Sequence, residues 1–368
     1  MFLPKILLPK KFLGIDIGTS AIKLVELSCR REKKKLENYG EIKAEAIFEK
    51  PFRTFEKSTL FLSDQEIAQA IKGLKEEAKI KTRDSIFSIP DFSSFFTNFE
   101  LPPMTKEELP QAVVYEARQH VPLPLGEVTL DWEVIGGKVS DQKKEEKLKI
   151  LLVAVPNEVI NQYQEIARIS NLQILALEAE VFGLLRSLIP ADEKRTLSIV
   201  DIGARTTTCS IIDKRVLKVS HSFDFSGDDL TERVAKSLSI DYQTAQNLKE
   251  KYGLADIPLP LTNIGAPVSA KSIKEILLPL IDVILMEIEK ISRNFYQTEG
   301  KEVQKFIIAG GAAIMPGLRE YFGDFLKKET EIANPFSNIF YPPILEQTLK
   351  QIGPSFAIAV GTALRGFE

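Results

Sequence analysis

Gly14-Ile15-Asp16-Ile17-Gly18-Thr19-Ser20 ends an apolar strand in an aspartate, then an apolar residue, then glycine and two small polar residues. The pattern returns, altered, as Val200-Asp201-Ile202-Gly203-Ala204-Arg205-Thr206, with the two aspartates 185 residues apart (201 − 16). After each copy the chain resumes as strand, Ile22 to Leu27 in the first and Thr207 to Ile212 in the second, so each copy reads as a β-hairpin with a glycine-rich tip. Glycine lets such a tip approach a ligand closely, and successive backbone N–H groups there form a nest for phosphate oxygens. A carboxylate repels phosphate but holds a divalent cation through water, which suits Mg²⁺ riding on a nucleotide. Two such hairpins, from the two halves of a duplicated fold, would clamp one nucleoside triphosphate between them.

A third element points the same way. Phe306-Ile307-Ile308-Ala309-Gly310-Gly311-Ala312-Ala313-Ile314, followed by Pro316-Gly317, reads as a buried strand running into a double glycine and then a helix. The order hairpin, hairpin, strand–Gly–Gly–helix resembles the actin, heat-shock chaperone and sugar kinase superfamily over essentially the whole chain. That resemblance implies an α/β, actin-like (duplicated ribonuclease H-like) two-lobed ATPase fold, in which the three elements are two phosphate loops and an adenosine loop.

Length and composition set the bounds. The 368 residues suffice for two to four domains or subdomains, and 44% hydrophobic with 27% charged residues is an ordinary globular balance. The net charge of −3 argues against a general nucleic-acid surface. Cys29 and Cys209, with His120 and His221, are too few for a disulfide framework or a Cys/His metal centre. Met1 to Lys11 is apolar and basic, but Pro4 and Pro9 interrupt it and no cleavage site follows, so it reads as a lead-in extension and not a signal peptide. No apolar run reaches the roughly 20 residues of a spanning helix.

Along the chain, residues 1–88 read as the first half with phosphate loop one. Ser63 and Glu66 form a capping box opening a helix. Residues 89–171 read as a small α+β inserted subdomain rich in Phe92, Phe95, Phe96 and Phe99, with a second capping box at Thr105 and Glu108 and a charged tip from Gly137 to Lys149. Residues 172–195 return to the first half, with a helix expected over Glu178 to Leu188. The second half comprises phosphate loop two (196–225), a nucleotide-covering helical subdomain (226–301) with a loop or short hairpin at Ile257 to Ala266, and the adenosine loop (302–350). Residues 351–368 form a helix of small apolar residues that packs between the halves.

Within the superfamily the resemblance narrows. Glu100-Leu101-Pro102-Pro103-Met104, Ala112-Val113-Val114-Tyr115-Glu116-Ala117, Val121-Pro122-Leu123-Pro124-Leu125, Leu130-Asp131-Trp132 and the ending Ala357 to Gly366 resemble the PilM family, the actin-like components of type IV pilus assembly. The resemblance implies ATP and Mg²⁺ binding, and a groove for the N-terminal cytoplasmic peptide of PilN. It also implies a cytoplasmic protein held at the inner membrane through that bitopic partner. FtsA-like cell-division proteins share the insertion but carry a C-terminal linker and amphipathic helix, neither of which precedes Glu368 here. The rival readings are an FtsA-like polymerising protein and a sugar or acetate kinase of the same fold.

The candidate site residues follow. Asp16 and Asp201 would hold Mg²⁺ through water, and Gly18, Thr19, Ser20, Gly203, Thr206 and Thr207 would offer N–H or hydroxyl groups to phosphates. Lys23 is either a phosphate contact or a solvated strand lysine. Gln246 and Lys249 share one helix face, where relatives contact adenine and ribose, or else face solvent. Gly310, Gly311 and Ala312 would lie against the nucleotide. Glu178 is expected either to orient an attacking water for a slow ATPase or simply to satisfy a helix dipole. Arg205 stands in phosphate loop two where many relatives carry a small residue; it would point outward, contact phosphate or pair with an acid. Val113, Ala117, Val121 and Leu123 would form either the partner groove or plain core.

Overall fold

The structure, a computed structural model, describes residues 9–44, 63–137, 146–255 and 273–368. Most of the N-terminal extension, most of the charged tip and the loop expected at Ile257 to Ala266 lie outside the described residues.

The first sheet is built from β1 (Lys10–Ile17), β2 (Ala21–Arg30), β3 (Lys33–Lys43), β4 (Asp84–Ile89) and β8 (Gln173–Ala179). Between these strands lie α1 (Asp64–Glu77), β5 (Phe95–Leu101), α2 (Leu109–His120), β6 (Val128–Gly136), β7 (Leu148–Pro156) and α3 (Asn157–Ile169). After α4 (Glu180–Leu188) the second sheet uses β9 (Thr196–Ile202), β10 (Thr207–Asp213), β11 (Val216–Phe223), β12 (Lys305–Ala309) and β13 (Glu329–Ile332). Helices α5 (Gly227–Leu238), α6 (Tyr242–Tyr252), α7 (Ile273–Glu299), α8 (Leu318–Leu326) and α9 (Glu346–Arg365) complete the chain.

The strand orders are β3-β2-β1-β4-β8 and β11-β10-β9-β12-β13. In both, three antiparallel strands are followed by two added in parallel. The repeated hairpin in the sequence is therefore the trace of a whole duplicated sheet. β12, buried from Phe306 to Ala309, is covered on both faces, which is why it reads as a continuous apolar run.

α9 lies between the lobes because its residues are small. A Cβ on Gly14 of β1 would stand 2.1 Å from the Ala359 carbonyl oxygen, so the helix rests on bare strand backbone. At the other contact Gly361 crosses Gly183 of α4 so closely that a Cβ on Gly361 would stand 1.8 Å from the Gly183 oxygen.

The capping box at Ser63 and Glu66 opens α1 with both reciprocal hydrogen bonds. The bonds between Thr105 and Glu108 also form, but they close the turn just before α2. The insertion is the sheet β5-β7-β6 backed by α2. Val113 and Ala117 are fully buried there, Val121 nearly so, and Leu123 packs against the same cluster. This corrects the groove reading: a three-stranded sheet has one face to cover, and α2, with Val113 and Ala117, and the segment after it, with Val121 and Leu123, cover it. The helix instead presents Val114 and Tyr115, 41% and 66% exposed, to solvent. α3 does not belong to this module by packing. Val159, Tyr163, Ile166 and Ala167 enter the first lobe's core with α1, so the inserted sheet ends at β7, earlier than residue 171.

Candidate functional site

The two hairpin tips face each other across a cleft of about 810 Å³ between the lobes. They close identically: Gly18 N–H donates to Ala21 O and Gly203 N–H to Thr206 O, each at 2.9 Å. The register also matches, Asp16 lying opposite Lys23 and Asp201 opposite Thr208. Asp16 is buried, accepts a hydrogen bond from Ser88 Oγ at 3.1 Å and lies 3.9 Å from Lys23 Nζ. Lys23 therefore faces the cleft, neutralising Asp16, and is not a solvated strand lysine.

The third wall comes from the turn after β12. Gly310 has φ +87°, and a Cβ there would collide with Ile202 O at 2.3 Å and Asp201 Oδ1 at 2.5 Å. Only glycine lets this turn lie over the second hairpin. A Cβ on Gly311, by contrast, would meet nothing within 4 Å, because that position borders the open cleft. Ala312 lies beside it in the same wall.

α5 and α6 close the far side. Ser226 caps α5, and the first N–H groups of that helix hold the second hairpin: Gly227 N–H donates to Gly203 O at 2.9 Å and Asp228 N–H to Ala204 O at 3.0 Å. Lys249 is 5% exposed, with Nζ donating to Gly227 O at 2.8 Å and Thr231 Oγ1 at 2.7 Å. Burial depresses its ammonium to about 8, against the opposing pull of Asp228 and Glu250. Gln246 borders the same space and is tied to Thr231 and Glu250. Arg205 pairs with Asp228, Nε to Oδ2 at 3.2 Å, and Asp228 also accepts from Tyr242 OH at 2.9 Å. Burial pushes the Asp228 carboxyl above its ordinary range in spite of those partners.

The structure moves two expected residues out of the cleft. Thr207 is fully buried and donates its hydroxyl to Phe225 O; strand alternation turns Thr206 and Thr208 toward the cleft instead. Glu178 does not open a helix. β8 runs on to Ala179, and the Glu178 carboxylate is gripped by both terminal nitrogens of Arg186 at 2.6 and 2.7 Å. Of the two carboxylates that flank Ala179, the one lining the cleft is Glu180, first residue of α4, 6% exposed. It accepts from Asp91 N–H at 3.4 Å while Asp91 Oδ1 accepts from Val181 N–H at 3.1 Å. The sequence signal for Glu180 was a strand two residues longer than its apolar pattern suggested. Glu178→Ala is expected to cost about 3 kcal/mol, the lower end for breaking a buried pair, because Glu368 at 2.8 Å still partners Arg186. Thermal melting would show that loss, with ligand affinity in the cleft unchanged.

Among the described residues no three His, Cys, Asp or Glu side chains converge as a metal site. Asp16 and Asp201, one from each lobe, both line the cleft. A divalent cation there would need further ligands, which phosphate oxygens and water supply.

Duplicated sheets, paired hairpins and an interlobe cleft define an actin-like two-lobed protein. The family model for the type IV pilus assembly protein PilM matches residues 14–367. The chain belongs to that family. In structure it is similar to a PilM–PilN type IV pilus biogenesis complex, with TM-score 0.80 and 25% identity over 97% of this chain and 98% of that one. MreB5 of Spiroplasma citri bound to ADP shares the fold, with TM-score 0.51 and 13% identity over 96% of this chain and 95% of that one. Among curated proteins, the cell division protein FtsA of Enterococcus hirae is 22% identical over 89% of this chain and 81% of its own length. The match to FtsA of Staphylococcus epidermidis is 19% identical over 56% of this chain and spans only 46% of that protein. No helix among the described residues is long and apolar enough to cross a membrane.

Proposed function

We propose that this chain is a nucleotide-binding scaffold of type IV pilus assembly, holding MgATP in the interlobe cleft and a PilN-like cytoplasmic peptide on its surface. The observation that carries the nucleotide reading is the pair of identically closed hairpins facing the turn at Gly310 and Gly311 across one cleft. Backbone N–H groups and the hydroxyls of Thr19, Ser20, Thr206 and Thr208 would take the phosphates, with Asp16 and Asp201 on the cation's water shell. Gln246 and Lys249 would meet the nucleoside. Glu180 takes the water-orienting role expected of Glu178. As a scaffold it is expected to turn ATP over below the roughly 1–100 s⁻¹ of kinases, and steady-state phosphate release above that floor would count against this reading.

Titration calorimetry with MgATP should show one site per chain. Asp201→Ala should weaken binding about tenfold or more with Mg²⁺ present and much less without it. Equal loss in both conditions would remove the cation role.

The partner reading rests on family membership and on the likeness to a PilM–PilN complex. It places the chain at the inner membrane through the peptide's parent protein. Fluorescence anisotropy with a labelled PilN-type N-terminal peptide tests it. If the exposed face of α2 receives the peptide, Val114→Ser and Tyr115→Ser lose affinity while melting holds. Val113→Ser, in the core, should lower melting whatever the peptide does.

A further inference from the structure

At the end of the first sheet remote from the cleft, Arg30-Arg31-Glu32-Lys33-Lys34-Lys35 makes the turn from β2 to β3. Five cations accompany one anion there, in a chain whose net charge is −3. Strand register extends the basic row across the sheet: Lys10 of β1 lies opposite Cys29 of β2, which lies opposite Lys34 of β3. In the adjacent row, Lys11 lies opposite Ser28, which lies opposite Lys35, and past the β3 edge Phe340 continues that row by pairing with Lys35. The Phe340 N–H donates to Lys34 O and its carbonyl accepts from Leu36 N–H, both at 2.9 Å. The segment Phe340-Tyr341-Pro342-Pro343-Ile344 thus starts beside Lys35 and runs on along the β3 edge, where Pro342 lies near Glu37 to Tyr39. Phe340 is 65% exposed and Ile344 88%.

The charges are available. Lys35 pairs with Glu37, and Lys11 lies 3.7 Å from both Glu26 and Glu37. Lys10, Arg30, Arg31, Lys33 and Lys34 form no ion pair among the described residues.

We propose that this face binds an anionic lipid surface directly, independently of any partner protein. Basic side chains near an anionic leaflet each add attraction within a Debye length. Exposed apolar side chains beside them add burial at the headgroup boundary, which salt does not screen. Both components occur here on one edge of the sheet. A nucleic acid would use the cations but leave Ile344 in water. A second copy of the same face would set the cations against one another. β1 spans eight residues from Lys10 to Ile17, so the patch lies about 25 Å from the first hairpin tip. Lipid contact therefore leaves the cleft open.

The experiment is co-sedimentation of the full chain with phosphatidylcholine vesicles, with and without phosphatidylglycerol. Binding is expected only with the anionic lipid and should fall as salt rises. The double variant Lys33→Glu/Lys34→Glu should lose affinity by about tenfold or more. Phe340→Ser/Ile344→Ser should weaken binding several-fold with the salt dependence kept, and melting should show both variants folded. The proposal fails if wild type binds both vesicle types alike or neither. It also fails if both double variants bind as wild type. Duplex DNA binding that depends on Lys33 and Lys34, with Phe340 and Ile344 immaterial to vesicle binding, would identify a nucleic-acid surface instead.

Discussion

Gly361→Ala is expected to lower stability by about 3 kcal/mol or more, the upper end for overpacking, and to reduce folded yield sharply. The added Cβ would stand 1.8, 2.4 and 2.7 Å from the oxygen, carbonyl carbon and Cα of Gly183. All three are backbone atoms of α4, so no rotamer change relieves the clash. α9 and α4 would have to separate, and α9 also carries Ala357, Ala359, Val360 and Ala363, all fully buried, into the cores of the two lobes. Chemical denaturation measures the effect. Gly311→Ala is the contrast, since nothing lies within 4 Å of that Cβ and its change should stay within about 0.5 kcal/mol. A Gly361→Ala protein that melts with wild type would mean that the two helices do not cross on bare backbone.

Lys249 should make the fold more stable as pH rises through the alkaline range. Its folded value of about 8 lies below the ordinary 10.5 because burial disfavours the ammonium. Between those values the unfolded chain binds more protons than the folded one, so stability climbs with pH. Below about pH 8 the protein carries the full penalty, on the order of 3 kcal/mol at 1.36 kcal/mol per unit. Lys249→Met should abolish this rise between pH 8 and 10.5, even though it leaves Gly227 O and Thr231 Oγ1 without the donor they now have. Urea unfolding of both proteins across the window reads the difference. Parallel pH profiles would show that Lys249 keeps its ordinary titration.

Arg205 shows where the sequence stopped short. Its place in the second hairpin was plain, but three orientations were open, and only the packing of α5 against that hairpin set Asp228 beside it. Glu178 and Glu180 make the same point at finer scale. One strand end decides which of two carboxylates enters the cleft, and that end is fixed by pairing with β4, where Ser88 lies opposite Glu178 and Ile89 opposite Ala179. Local pattern does not encode a pairing partner 90 residues away (178 − 88). Thr207 was misplaced for a related reason: either parity of the strand fits its run of three threonines, and the depth of the tip chooses between them.

By itself the sequence determined the duplicated hairpins, the glycine turn at Gly310, the small-residue helix α9 and the PilM family pattern. These are local: a backbone conformation, a close approach or a periodicity that few other residues allow. Only the tertiary structure decided that Val113, Ala117 and Val121 are core, that α3 packs with the first lobe, and that Glu180 reaches the cleft while Glu178 is held by Arg186. Apolarity calls for burial without naming what covers a side chain, and that choice is made by distant segments competing for the same face.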